Sequence, residues 1–165
     1  PRIEGAEDER YLSSVSPYRA PNRPLASVSE LRAVDEITPE LFRLIAPFLT
    51  VWPVEGSKVN LLTAPPEVLA ALNEDDALEP LSAQQVARII ELRDDGMLNE
   101  VDTFIEDVMF SDGATDELRD LVDIKSSWFL LDARVEIADR ERRLYSVLHR
   151  QGRAISVVHR TEGEL

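Results

Sequence analysis

The sequence predicts an α+β fold, a mainly helical domain followed by a short antiparallel β-meander. Three observations carry this. Between Leu25 and Val122, apolar residues recur at helical spacing behind capping residues. From Trp128 onward the period falls to two, the spacing of a half-buried strand. Turn residues at Asp139–Arg140 and at Gln151–Gly152–Arg153 divide that last stretch into three strands.

The chain opens with an acidic segment, in which Ala6 to Ser14 is compatible with a short helix whose acids sit favourably near its N-terminus. Pro17, Pro21 and Pro24 then hold an extended linker, so residues 1–24 form one unit. The helical domain spans residues 25–125. Ser27 and Ser29 precede Leu31 and Val34, and Thr38-Pro39 is a favoured cap-and-proline start. Leu41, Leu44, Ile45 and Phe48 form one helical stripe, expected to face the core, and Pro47 should end or bend that helix. Trp52 is expected to cap the core over these helices. Asn60 and Thr63 lead into Pro65, Pro66 and a second stripe of Val68, Leu69 and Leu72.

Ser82 and Gln85 make a capping-box pair ahead of Val86, Ile89, Ile90 and Arg93, and Gly96 supplies the stop. Asn99 precedes a helix bearing Val101, Phe104, Ile105 and Val108. Ser111-Asp112-Gly113 is a turn, and Thr115 precedes a last helix with Leu118, Leu121 and Val122. The helix pairs near Ser27–Leu49 and Thr63–Arg93 read as two crude copies of one repeat. Residues 126–165 form the meander. Phe129, Leu131, Ala133, Val135 and Ile137 alternate with Asp132, Arg134 and Glu136. Leu144–Arg150 and Ala154–His159 follow as the second and third strands.

Composition narrows the function. Of 165 residues, 44% are apolar and 30% charged, a globular balance. Eighteen basic against 32 acidic residues leave a net charge of −14, which repels phosphate backbones and anionic lipid. Without cysteine there is no disulfide, thiolate zinc site or thiol nucleophile. No apolar run is long enough to cross a membrane. No glycine-rich phosphate loop and no hydrolase or metalloprotease motif is present, and His149 and His159 fall on predicted strands, so an enzyme is not expected.

The strings SPYRAPNRPLASVSELRAVDEITPELFRLIAPFLTVWP and KVNLLTAPPEVLAAL resemble the central helical domain of the K-type minor pseudopilins of bacterial type II secretion systems. The sequence departs from the usual pattern at Glu36, where glycine is common, and at Leu62, where asparagine is common. The resemblance implies a structural protein at the tip of the periplasmic pseudopilus, on the periplasmic face of the inner membrane. It would be joined there to the I-type and J-type minor pseudopilins, in support of protein export. It also implies a helical domain inserted in a sheet domain, and an upstream hydrophobic helix, absent from this chain, as the sole membrane attachment. With that helix absent, the sheet is expected to be exposed or to dimerise.

Calcium binding is a further implication. The densest acidic cluster, Glu4, Glu7, Asp8 and Glu9, offers the oxygens a hard cation needs, although a solvated helix start explains the same residues. The order of caps and stripes also resembles a SAM-like, helix-hairpin-helix array, a small fold that includes nucleic-acid binders. In such binders a glycine-rich hairpin offers backbone N–H groups to phosphate. Here Asn73–Ser82 carries Glu74, Asp75, Asp76 and Glu79 with neither glycine nor lysine, and the first hairpin carries Asp35-Glu36. The alternative reading, a nucleic-acid-binding domain, is therefore opposed by charge, and no nucleic-acid partner is expected.

Overall fold

Hydroxyl side chains at Ser27, Thr38 and Ser82 cap three of the helical elements. The computed structural model describes residues 8–13, 16–20, 22–72, 80–108 and 116–162. Helix α1 (Asp8–Leu12) opens it, followed by a 3-10 turn, Val28–Ala33, whose N-cap Ser27 accepts the Ser29 N–H. Helix α2 (Pro39–Ile45) starts at Thr38, which accepts the Leu41 N–H. It tightens into a 3-10 turn, Ala46–Phe48, at Pro47. Strand β1 (Val59–Asn60) leads to α3 (Pro66–Ala70), α4 (Ala83–Asp94), α5 (Val101–Val108), α6 (Asp116–Leu121) and β2 (Val122–Asp123). The long strands β3 (Trp128–Ile137), β4 (Arg140–Gln151) and β5 (Ala154–Thr161) complete the chain.

Helix α4 has the full predicted capping box, Ser82 and Gln85 each satisfying the other's backbone N–H. It ends where Gly96 adopts φ +67°, a conformation that costs glycine nothing. Val86, Ile89 and Leu92 of α4 are buried against Leu61, Leu69, Leu72, Phe104, Val108, Leu118 and Val122. This buried apolar cluster runs from Leu61 to Val122. Leu81 N–H donates to the Ala70 carbonyl, and Arg93 Nη1 to the Ala64 carbonyl, joining α3 to α4.

The chain enters and leaves this cluster at one place. Strands β1 and β2 pair in parallel, Val59 beside Val122 and Asn60 beside Asp123. Leu61 N–H donates to the Asp123 carbonyl at 2.8 Å, Asn60 Nδ2 to Ser126 Oγ at 2.8 Å, and Lys58 Nζ to the Arg119 carbonyl at 3.0 Å. A unit whose two ends meet in this way is joined to its host through a narrow neck.

The meander forms as predicted, in the order β3-β4-β5, antiparallel throughout. Its first turn is Ala138–Asp139, one residue earlier than expected, with Ala138 at φ +55°. Across β3 and β4, Arg134 faces Arg143 and Glu136 faces Glu141. Diagonal pairs relieve these like-charge contacts. Arg134 reaches Glu141, and Arg143 Nε donates to Asp132 Oδ1 at 2.8 Å. That contact holds the exposed Asp132 carboxyl below the ordinary carboxylate range and raises the Arg143 guanidinium.

Four expectations require correction. The stripe Leu41, Leu44, Ile45 and Phe48 is not a core face: Leu44 is 70% exposed and Leu41 and Phe48 are each 39% exposed. Phe42 is buried instead, beneath the Arg32 guanidinium at 4.4 Å, and the two-turn helix is rolled to place it there. Trp52 does not cap the helical core but stacks on His159 of β5, centroids 5.6 Å apart. Val122 belongs to β2, and Leu121 is exposed. Finally, the segment Ser27–Leu49 does not share the buried cluster of α3–α6, so the two crude sequence copies are not packed as one repeat array. The predicted turn at Ser111-Asp112-Gly113 and the cap at Thr115 lie outside the described residues.

Candidate partner interface

Among the described residues, nothing assembles a catalytic constellation. His149 stacks on Trp128 at 4.3 Å, a direct cross-strand pair, and His159 on Trp52. Each imidazole is thus engaged by an indole face rather than aimed at a nucleophile.

Of the four acidic candidates for a cation site, Glu4 and Glu7 lie outside the described residues. Asp8 Oδ1 accepts the Ala20 N–H at 3.0 Å, pinning the linker back onto α1, while Glu9 is exposed at its start. No three acidic or histidine side chains converge among the described residues. Asp8 and Glu9 alone fall short of the six to eight oxygens calcium takes.

The hairpin expected to repel nucleic acid is acidic here too. Asp35 is held by Arg10 Nε at 2.8 Å, which raises the Arg10 pKa, first through that hydrogen bond and then through charge attraction. Glu36 sits at φ +66°. Residues 73–79 of the second hairpin lie outside the described residues. The charge is segregated: residues 59–123 carry 17 acidic and 3 basic side chains, so the −14 of the whole chain resides in the helical unit.

Apolar surface concentrates on the other side. A cavity of about 860 Å3 opens between the Val28–Trp52 segment and the sheet, lined by Val28, Phe42, Leu49, Trp52, Trp128, Leu130, Tyr145 and Val147. Arg32, Arg143 and Glu162 also line it. Phe129, 40% exposed, also lines the cavity, while the opposite sheet face is exposed at Leu131 (47%), Val135 (53%) and Ile137 (72%). So much uncovered apolar area on a strand with an ordinary alternating pattern marks a binding surface rather than a catalytic one. The alternation showed in the sequence, as did Trp52 and Trp128. Which segment would line the cavity opposite the sheet did not.

Two family profiles, both described as type II secretion system (T2SS), protein K, match the chain over residues 1–54 and 59–125. The chain belongs to the type II secretion system protein K family. The two matches part at residues 55–58, the loop that leads into the neck. Protein K of Dickeya chrysanthemi is 30% identical over 166 residues, covering 99% of this chain and 44% of that protein. Protein K of Pectobacterium carotovorum subsp. carotovorum is 26% identical over 163 residues, covering 99% of this chain and 49% of that protein. The chain therefore spans about half the length of the curated relatives it matches.

Its fold matches a chain in the crystal structure of the GspK-GspI-GspJ complex of the enterotoxigenic Escherichia coli type 2 secretion system. The TM-score is 0.70 at 22% identity, covering 99% of this chain and 57% of that one. That likeness shows the α+β fold predicted from the sequence. Among the described residues, no helix is long and apolar enough to cross a membrane.

Proposed function

We propose that this chain is the head of a minor pseudopilin that sits at the tip of the type II secretion pseudopilus, on the periplasmic side of the inner membrane. It assembles there with I-type and J-type minor pseudopilins and supports protein export. Membership of the protein K family carries this reading. Three features of the structure support it. The helical unit is joined to the sheet through a narrow neck, the apolar surface lies on the sheet side, and the charge lies on the helical side. A bulky unit projecting from the sheet domain blocks addition of another subunit above it, so such a subunit terminates a fibre.

The same reading gives the chain a structural and not an enzymatic role. It also carries calcium as a bound ion, with Asp8 and Glu9 contributing beside Glu4 and Glu7. The test is co-elution of this chain with the periplasmic domains of I-type and J-type minor pseudopilins on size exclusion, with calcium and with a chelator. A ternary peak supports the reading. Separate elution of all three, from proteins that carry their full periplasmic regions, overturns it. A gel shift at low salt tests the nucleic-acid alternative, and no retardation is expected.

A further inference from the structure

The parallel bridge of β1 and β2 closes the helical unit but does not aim it. Both strands belong to that unit, so their bonds tie its two ends to each other. Its direction is left to the links at residues 53–58 and 124–127. Among the described residues, the buried cluster inside the unit includes no residue of the sheet. Two bodies without a large shared apolar interface move relative to one another unless something else fixes them.

Ser126 supplies that fixture. It stands in the exit link and bonds both bodies at once. On the helical side its Oγ accepts a hydrogen bond from Asn60 Nδ2 at 2.8 Å. The amide is held in that orientation because Asn60 Oδ1 accepts the Leu62 N–H at 2.9 Å, a local bond typical of an asparagine side chain. On the sheet side the Ser126 carbonyl accepts a charge-assisted bond from Arg150 Nη2 at 2.6 Å. Arg150 of β4 grips the link a second time, its backbone N–H donating to the Ser127 carbonyl at 2.7 Å. Its guanidinium lies 5.2 Å from the centre of the Phe129 ring of β3, so the arm that reaches Ser126 is braced by the sheet. At the start of the link, the Ile124 N–H donates to Asp123 Oδ1 at 2.7 Å.

We propose that Ser126 and Arg150 are positioning residues that lock the helical unit in one orientation on the sheet, through a relay from Asn60 to Ser126 to Arg150. With the relay made, the sheet and the acidic unit turn as one body. With it broken, the unit stays folded behind its bridge and swings about its two links. The relay thus sets the direction in which the acidic surface faces relative to anything seated on the sheet.

The chain has no native cysteine, so two introduced ones carry the only spin labels. Ala87→Cys on α4 and Glu136→Cys on β3 are both at exposed positions. Double electron–electron resonance on this pair should give one narrow distance distribution. Ser126→Ala removes the hydroxyl that Asn60 holds, and Arg150→Ala removes the arm from the sheet. Each should broaden the distribution while the far-UV circular dichroism is retained. Ser126→Thr keeps a hydroxyl and should keep the distribution narrow. Arg153→Ala, which removes the same charge at the exposed β4–β5 turn, should keep it narrow too. A loss of stability alone would lower the urea midpoint and leave the distribution of the folded protein unchanged. A broad distribution in the labelled chain without further substitution overturns the proposal, as does a narrow one in both Ser126→Ala and Arg150→Ala.

Discussion

Replacing Glu36 with glycine should stabilise the protein. Glu36 is exposed and sits at φ +66° between the 3-10 turn and Thr38, the cap of α2. The Ile37 N–H donates back to the Val34 carbonyl at 3.2 Å, so the turn is fixed and Glu36 cannot relax out of the left-handed region without breaking it. For a residue with a Cβ that conformation costs about 1–2 kcal/mol. Glycine meets no such penalty in the fold but gains about 0.5–1 kcal/mol of freedom in the unfolded chain. The net expectation is a gain of about 0.5–1 kcal/mol, or roughly 2–4 °C in Tm per kcal/mol for a chain of this length. The charge near Arg10 is lost too, but both groups are exposed and solvent screens that attraction. Tryptophan fluorescence is the appropriate probe in urea and heat, because Trp52 and Trp128 both report on the sheet side of the molecule. Glu36→Ala separates the two effects, since alanine removes the charge but keeps the Cβ. Equal midpoints for the glycine and alanine variants would refute the conformational argument.

Phe104→Ala, at a fully buried position, should cost about 3–5 kcal/mol in urea denaturation. Leu44→Ala, at a 70% exposed one, should stay within about 0.5 kcal/mol. Equal losses would mean that the α2 stripe is packed after all. Ser82→Ala removes one half of the capping box and should cost about 1 kcal/mol, read as a lower urea midpoint at unchanged m. Asp132, held below the ordinary carboxylate range by Arg143, stabilises the fold while ionised. That stabilisation is complete above the unfolded-state carboxylate pKa and is lost as pH falls through the lower folded-state value. Asp132→Asn should therefore flatten the acid limb of a stability–pH curve, and an unchanged limb would count against the pair. For calcium, a rise in Tm that vanishes with Glu7→Gln and Asp8→Asn is expected, at about 2.7 kcal/mol when the ion is at a hundred times its Kd. No rise in millimolar calcium would remove the ion from the proposal.

Local chemistry was legible wherever one residue type answers one geometric need. Thr38-Pro39, Ser82 with Gln85, and Gly96 marked helix ends that the structure reproduces. The alternation from Phe129 to Ile137 identified β3. The stripe on α2 misled because helical spacing says which residues share a face, not which face is buried. In so short a helix, Phe42 with Arg32 above it outweighed the apolar residues of the stripe. The pairing of β1 with β2 was also out of reach. It joins Val59 to Val122 across 63 positions of sequence, and two-residue strands leave no periodicity to read. The departure at Glu36 was visible as a residue difference, but only the backbone explains why glycine suits that position.

The parallel bridge at the neck has a mechanical consequence. The chain runs into β1 at its N-terminal end and out of β2 at its C-terminal end, so tension along the chain pulls the two strands past each other in shear. All bonds of the bridge are then loaded together rather than unzipped in turn. The helical unit lies off the line of force until the bridge yields. When it does, about 60 residues are released, roughly 200 Å of extended chain. A subunit pulled or pushed through its sheet would thus transmit force around its helical unit, which works as a reserve of length behind a two-residue latch.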